Sequence, residues 1–254
     1  MNGDYDPRSD ESFLIDRLSS DVGVKVTVPD DPEERWVLLR SLMNVRPPMV
    51  IPDEVMKAQD RYLSHRVSSR NIVDVDDLVF NDNISLWRGD ITTLSCDAIV
   101  NAANSGMLGC FIPCHRCIDN AIHSFAGMGL RRECDSIMKG SCEHTGSAWI
   151  TSAYNLPSRY VIHTVGPIVK GDPTDDDKDA LRSCYNSCLG IADKNGLKSI
   201  AFCCISTGEF HFPNEDAAEI AVEVVKSFLN EHPYMKVIFD VFTERDYRIY
   251  STLL

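Results

Sequence analysis

Long apolar runs are missing from this chain of 254 residues. None approaches the roughly 20 residues needed to cross a bilayer, which argues against a membrane span. Basic charge is scarce as well: 25 Lys and Arg stand against 38 Asp and Glu, a formal net charge of −13. Proteins that track phosphate backbones present basic faces, so the balance argues against a nucleic-acid partner. It does not exclude a single nucleotide in a local pocket. The opening MNGDYDPRSDESF is acidic and polar, the opposite of an export signal. No stretch of the chain repeats another. Cysteine is the exception to this plainness. Ten cysteines without an export signal point to a reducing cytoplasm, where clustered thiols serve as metal ligands or catalysts more often than as disulfides.

Residues 1–11 are polar and read as a frayed end. From Phe13 to about Arg66 the pattern is helical. SFLIDRLSSDV spaces Phe13, Leu14, Leu18 and Val22 near the 3.6-residue period, and ERWVLLRSLMNV repeats it. A Pro-rich connection then leads into a helix that Asp53 is placed to cap. Residues 1–70 therefore read as an N-terminal helical extension, and 71–254 as the main domain. There the period changes. ISLWRGDIT, AIVNAAN, GSAWITSAYNL, YVIHTVGPI, SIAFCCIST and MKVIFDVF read as strands. NAIHSFAGMGLRRECDSIMKG, DDDKDALRSCYNSCLGIADKNG and NEDAAEIAVEVVKSFLNEH read as helices, the second closed by Gly196. The alternation predicts an α/β fold whose mixed, largely parallel central sheet is covered on both sides. The acidic KGDPTDDDKDA reads as a solvated connection.

Ligands of open α/β sheets bind beyond the carboxyl ends of strands. After SIAFCCI come Ser206, Thr207, Gly208, Glu209 and Phe210, a small-residue turn that offers backbone N–H groups to a diphosphate or serves only as a turn. Asp90, in RGDIT, suits a ligand contact or a helix cap. Asn101 and Asn104, in VNAAN, suit sugar hydroxyls or turns. His123 and His163 lie in apolar contexts and read as core histidines with satisfied hydrogen bonds. His211 faces either a ribose or solvent. Cys134, Cys184, Cys188, Cys203 and Cys204 read as small core residues. The stretch LGCFIPCHRCIDN stands apart, with three cysteines and one histidine between Cys110 and Cys117. It reads as a metal site, a Cys114-x-x-Cys117 redox pair or a set of buried thiols.

In combination the motifs are more specific. GDIT…DAIVNAAN…IDNAIHSFAG…LRREC…YVIHTVGP…STGEF…P…AA…IA…DYRIY, from about Leu86 to Tyr250, resembles the macrodomain family, which binds ADP-ribose. The resemblance implies a three-layer α/β/α macrodomain over 71–254, with the helical extension outside it. It implies that Asp90 holds the adenine amino group, that Ile91 lines the same pocket and that Phe242 stacks on adenine. Ser206, Thr207, Gly208, Glu209 and Phe210 would wrap the diphosphate, and Asn101 and Asn104 would approach the distal ribose. Hydrolytic macrodomains carry a glycine-rich loop before a VDGAIH-like segment. Here Ile118-Asp119-Asn120-Ala121-Ile122-His123 keeps the Asp, but GCFIPCHRC replaces the glycines. That departure, and the extension, resemble the zinc-containing macrodomains of microbes.

Zinc favours thiolate and imidazole in a tetrahedron. Cys110, His115 and Cys117 supply C-x4-H-x-C, with Pro113 helping the loop fold back. Three ligands leave one position open; Cys114 as a fourth would close it. The resemblance implies one zinc ion per chain, in a hydrolase that removes mono-ADP-ribose from acidic side chains, with Asp119, Asn101 and Asn104 acting at the distal ribose. It also implies an ADP-ribosylated protein substrate, in relatives a lipoyl-carrier protein modified by a sirtuin-like ADP-ribosyltransferase. Two alternatives are a non-catalytic reader of ADP-ribose and a hydrolase of O-acetyl-ADP-ribose or ADP-ribose phosphate.

Overall fold

A computed structural model describes residues 5–254. Three helices come first: α1 (Pro7–Asp21), α2 (Pro32–Val45) and α3 (Asp53–Ser68). The expected frayed end is shorter than residues 1–11. Pro7 fits the first helical position and Asp6 accepts the Arg8 N–H at 3.0 Å, so α1 starts there. Residues 1–4 lie outside the described residues. Phe13, expected in the apolar stripe, is exposed, while Leu14, Ile15 and Leu18 carry the stripe. Asp53 is the first residue of α3 and not its cap; Pro52 holds the cap position. Leu14, Leu39, Val55 and Leu63 belong to a local core that reaches Phe125 and Met128 further along the chain.

The strands are β1 (Val73–Asp74), β2 (Ile84–Arg88), β3 (Leu94–Ser95), β4 (Ala98–Ala103), β5 (Ala148–Ser152), β6 (Tyr160–Val165), β7 (Ser199–Phe202) and β8 (Lys236–Val241). Six of them form one sheet in the order β2-β8-β7-β4-β6-β5, and β1 pairs with β3 alone. All neighbours in the large sheet are parallel except β5, which runs antiparallel to β6 at one edge. Between the strands lie α4 (Ile118–Ala126), α5 (Met128–Met138), α6 (Asp175–Lys194) and α7 (Asn214–Glu231), and α8 (Glu244–Leu253) closes the chain. Helices α4 and α5 make one layer; α6, α7 and α8 pack in series as the other. This is the three-layer α/β/α architecture with a mixed central sheet. Covering both faces explains why every residue of β7 is buried. No helix among the described residues is long and apolar enough to cross a membrane.

Three local expectations need correction. The segment 120–140 is two helices, because Gly127 takes φ +93 and ψ 178, a conformation open essentially to glycine alone. There the Gln59 side chain of α3 inserts, its Oε1 accepting the Met128 N–H at 2.7 Å. Strand β7 ends at Phe202, short of the apolar run, because its ladder with β8 ends at Phe239. The acidic 170–180 stretch is only partly a connection. Asp175, Asp176 and Asp177 form the first turn of α6, where the helix dipole favours them, and Thr174 and Asp177 cap each other's backbone N–H.

Candidate functional site

The carboxyl end of β4 opens into the loop that carries the cysteine cluster, and α4 follows. Asn101 lies within this strand, paired with His163 of β6. Its Nδ2 donates to Asp119 Oδ1 at 2.8 Å and lies 3.1 Å from His163 Nδ1. Asn104 Nδ2 donates to Asp119 Oδ2 at 3.2 Å and to the Gly109 carbonyl at 3.2 Å. Both carboxylate oxygens of Asp119 are thus held by amides. Burial raises the Asp119 pKa to about 6, against the amide bonds and the Arg131 charge, which lower it.

The two histidines beneath this carboxylate differ. Burial lowers the His163 pKa to about 3, so the ring is neutral. It accepts from Asn101 at Nδ1, and Thr151 Oγ1 lies 3.0 Å from Nε2. That pairing assigns the ring proton to Nε2. His163 is the satisfied core histidine expected. His123 is not: neither ring nitrogen has a hydrogen-bond partner among the described residues, and Asp119 Oδ1 lies 3.5 Å from its Nε2. Gly109, at φ +79, packs on this ring, where a Cβ would sit 2.8 Å away. With a positive φ and the His123 ring standing where a Cβ would go, position 109 is confined to glycine.

In the loop itself, the donor atoms of Cys110, His115 and Cys117 lie within 4.8 Å of one another. Cys110 Sγ is 3.6 Å from His115 Nδ1. Cys117 caps α4, its sulfur accepting the Asn120 N–H at 3.4 Å. Burial raises the Cys117 thiol pKa, and the neighbouring Cys110 adds to the rise. Cys114 is outside the group. A second cluster, His123, Cys134 and His163, is wholly buried. Its sulfur–imidazole contact is 3.9 Å, and His163 already has its partners.

The residues assigned to the nucleotide's other groups surround the same sheet end. Arg88 pairs with Val241, so Asp90 and Phe242 leave adjacent strands at the same end. Asp90 caps the short turn Ile91–Thr93 through Thr92 at 2.9 Å, and Arg70 holds its other oxygen at 2.6 Å. Ile91 is buried; Phe242 is 80% exposed. Ser206 has φ +64, and Phe212 N–H closes the turn on its carbonyl at 3.0 Å. The N–H groups of Gly208, Glu209 and Phe210 find no acceptor among the described residues. Thr207 Oγ1 instead turns back to the Cys204 carbonyl. Glu209 Oε1 comes within 3.6 Å of His115 Nε2, which links the two loops. His211 is exposed.

Sequence reasoning missed the residues that brace the site from afar. Arg40 and Asn44 of α2 reach the loop and α4, and Arg131 of α5 stacks on Phe111 while donating to the Leu108 carbonyl. Each lies in an ordinary amphipathic helix, and no local spacing marks it.

A polar cluster at the carboxyl ends of parallel strands, inside an α/β/α sandwich, lies where open α/β sheets bind their ligands. The Macro domain family model matches residues 100–221. A curated protein-ADP-ribose hydrolase of Treponema medium is 52% identical over 237 residues, covering 90% of this chain and 91% of its own. A protein-ADP-ribose hydrolase of Staphylococcus aureus strain MSSA476 is 47% identical, covering 89% and 87%. Among solved structures, a Trypanosoma brucei macrodomain in complex with ADP-ribose superposes with a TM-score of 0.66 at 33% identity, covering 88% of this chain and 96% of that one. The Oceanobacillus iheyensis macrodomain with ADP gives 0.63 at 39% identity, covering 69% and 92%. The chain belongs to the macro domain family.

Proposed function

We propose that this chain is a zinc-dependent protein-ADP-ribose hydrolase that releases mono-ADP-ribose from modified acidic side chains. The observation that carries the reading is that one loop gathers three soft donors and delivers the buried Asp119 beside them. The names and near-full-length match of the curated relatives support the reaction class.

The donor set suits zinc. Tetrahedral bonds of ordinary Zn–S and Zn–N length put the two donor atoms about 3.6 Å apart. Cys110 Sγ and His115 Nδ1 stand 3.6 Å apart before any ion is considered. At the start of α4 the Cys117 sulfur accepts a backbone N–H and meets the positive end of the helix dipole, which works for the thiolate against the burial that raises its pKa. His115 turns its other nitrogen toward Glu209, the carboxylate-behind-imidazole arrangement that orients metal-bound histidines. When bound, zinc supplies Lewis acidity at the distal ribose and lowers the pKa of a coordinated hydroxyl or water.

The chain's own residues do the rest. Asp119 orients the ribose and accepts a proton, while Asn101 and Asn104 fix the carboxylate in place. The free N–H groups of Gly208, Glu209 and Phe210 hold the diphosphate. Asp90, with lone pairs remaining beside Arg70, reads the adenine amino group; Ile91 lines the same pocket and Phe242 stacks on the base. Binding energy from these distant contacts positions the reacting sugar. A lipoyl-carrier protein modified by a sirtuin-like transferase is the protein substrate to try first.

The test pairs elemental analysis with hydrolysis of an ADP-ribosyl-aspartate peptide, O-acetyl-ADP-ribose and ADP-ribose phosphate. Zinc at one ion per chain and preference for the peptide are expected. Turnover that persists in folded, metal-free protein overturns the zinc dependence. ADP-ribose binding without turnover of any of the three would make the chain a reader instead.

A further inference from the structure

The metal loop offers four sulfur and nitrogen ligands within eight residues, yet only three converge. The fourth, Cys114, is held elsewhere, and every partner that holds it belongs to α2, some seventy residues earlier. Its backbone N–H donates to Asn44 Oδ1 at 2.9 Å. Its thiol contacts the Val37 carbonyl at 3.4 Å and Ser41 Oγ at 3.3 Å. The residue takes φ +50, a left-handed conformation unfavourable to a residue with a Cβ. Such a conformation persists only where the surroundings over-determine it.

The surroundings do so here. Asn44 is 1% exposed, and its Nδ2 donates to Ser124 of α4 at 3.1 Å, which fixes the amide with its oxygen toward Cys114. Arg40 donates to Asn120 Oδ1 at 2.6 Å. Arg131 donates to three carbonyls at the end of α2, those of Met43, Asn44 and Arg46. Helix α2 is therefore locked to α4, which Cys117 caps. The anchor for Cys114 and the metal ligands belong to one rigid unit.

Resting on the zinc reading above, we infer that α2, through Asn44, Ser41 and the Val37 carbonyl, holds the Cys114 thiol out of the metal site and so keeps the fourth coordination position free for substrate. A third thiol one residue from ligand His115 has a high effective concentration at the ion. Released, it completes a closed Cys3His set, the composition of structural rather than catalytic zinc sites. Asn44 and Ser41 are positioning residues: they act on the metal through Cys114 and touch neither ion nor substrate.

Cobalt titration of chelator-treated full-length protein reads this directly, because thiolate-to-cobalt charge-transfer absorption grows with the number of thiolates bound. Wild type and Cys114→Ser are expected to give the same two-thiolate band. Asn44→Ala is expected to gain a third thiolate, to bind cobalt more tightly and to lose at least about tenfold in peptide hydrolysis, the usual cost of disturbing the residues that orient metal ligands. The double variant Asn44→Ala/Cys114→Ser returns to two thiolates and regains hydrolysis, a rescue that simple loss of packing does not allow. If Asn44→Ala does not fold, Ser41→Ala, at a half-buried position, carries the same readout. A three-thiolate band in wild type overturns the inference. So does a two-thiolate band in every folded anchor variant. Wild type that takes up no cobalt at all refutes the metal reading itself, which keeps the two failures apart.

Discussion

Asp119 sits at the centre of the cluster because three different elements aim at it: Asn101 from β4, Asn104 from the loop and His123 from its own helix. On the reading proposed above, replacing it by Ala removes the proton acceptor and spares the diphosphate and adenine contacts. Peptide hydrolysis should fall by about 10²–10⁴-fold, the usual weight of a positioned acid–base group. ADP-ribose affinity, measured by calorimetry, should change by less than about tenfold. Equal losses in both would demote Asp119 to a binding residue. Glu209 is a subtler case. It was expected to wrap the diphosphate, and it does stand in that loop, but its carboxylate reaches His115. Glu209→Gln keeps shape and removes charge. Metal affinity in a chelator competition should drop by about tenfold, at the low end for a carboxylate that orients a metal-bound histidine. An unchanged affinity would return Glu209 to the diphosphate alone.

Elements declared themselves in the sequence wherever burial imposes a period. Strands covered on both faces show continuous apolar runs, as in β7, and α7 shows its buried face at helical spacing. Breaks were harder to see. The 120–140 segment keeps one apolar face through Ile122, Leu130 and Cys134, all fully buried, so periodicity ran straight across Gly127. What stops the helix is Gln59, 69 residues away, whose amide fills the space a Cβ would need, 2.6 Å from its nitrogen. Gly127→Ala should therefore destabilise the protein by about 1–3 kcal/mol through backbone strain alone. Gln59→Ala should cost about as much by a different route, leaving the buried Met128 N–H unpaired. Urea unfolding of both single variants and the double checks this. Because both act at one junction, the double should fall short of the sum. Full additivity would mean that the Gln59 plug and the glycine are unrelated.

At the scale of the whole molecule, the grouping of the candidate ligands Cys110, His115 and Cys117 was legible from spacing, but its support was not, since Arg40, Asn44 and Arg131 act across 70 to 88 residues. The same holds for the buried histidines, whose environments differ although both lie in apolar text. Their burial has a measurable consequence. In the fold, His163 takes a proton only near pH 3, whereas the unfolded chain takes it near the ordinary value of about 6.5. Between those limits the unfolded state binds the extra proton, so this contribution to stability is complete above pH 6.5 and is lost as the pH falls. His123 is lowered as well, by burial first and by neighbouring His163 and Arg131 after it. Two carboxyl groups oppose them. Burial raises Asp119 to about 6 and Asp240 well above its ordinary value, so these hold protons in the fold that the unfolded chain has released. With two groups of each sign, the overall slope of stability against pH between about 4.5 and 6 is a poor test. The difference between wild type and His163→Gln is a better one, because the two carboxyl groups largely cancel from it and the relief of His123, which His163 also lowers, acts in the same direction. That difference should shift by about 1.4 kcal/mol per pH unit across this range, in favour of the variant as the pH falls. Urea midpoints of the metal-free pair at pH 6.5, 5.5 and 4.5 supply the measurement. A difference that stays constant would show that His163 titrates alike in both states, and with it would go the neutral ring that orients Asn101.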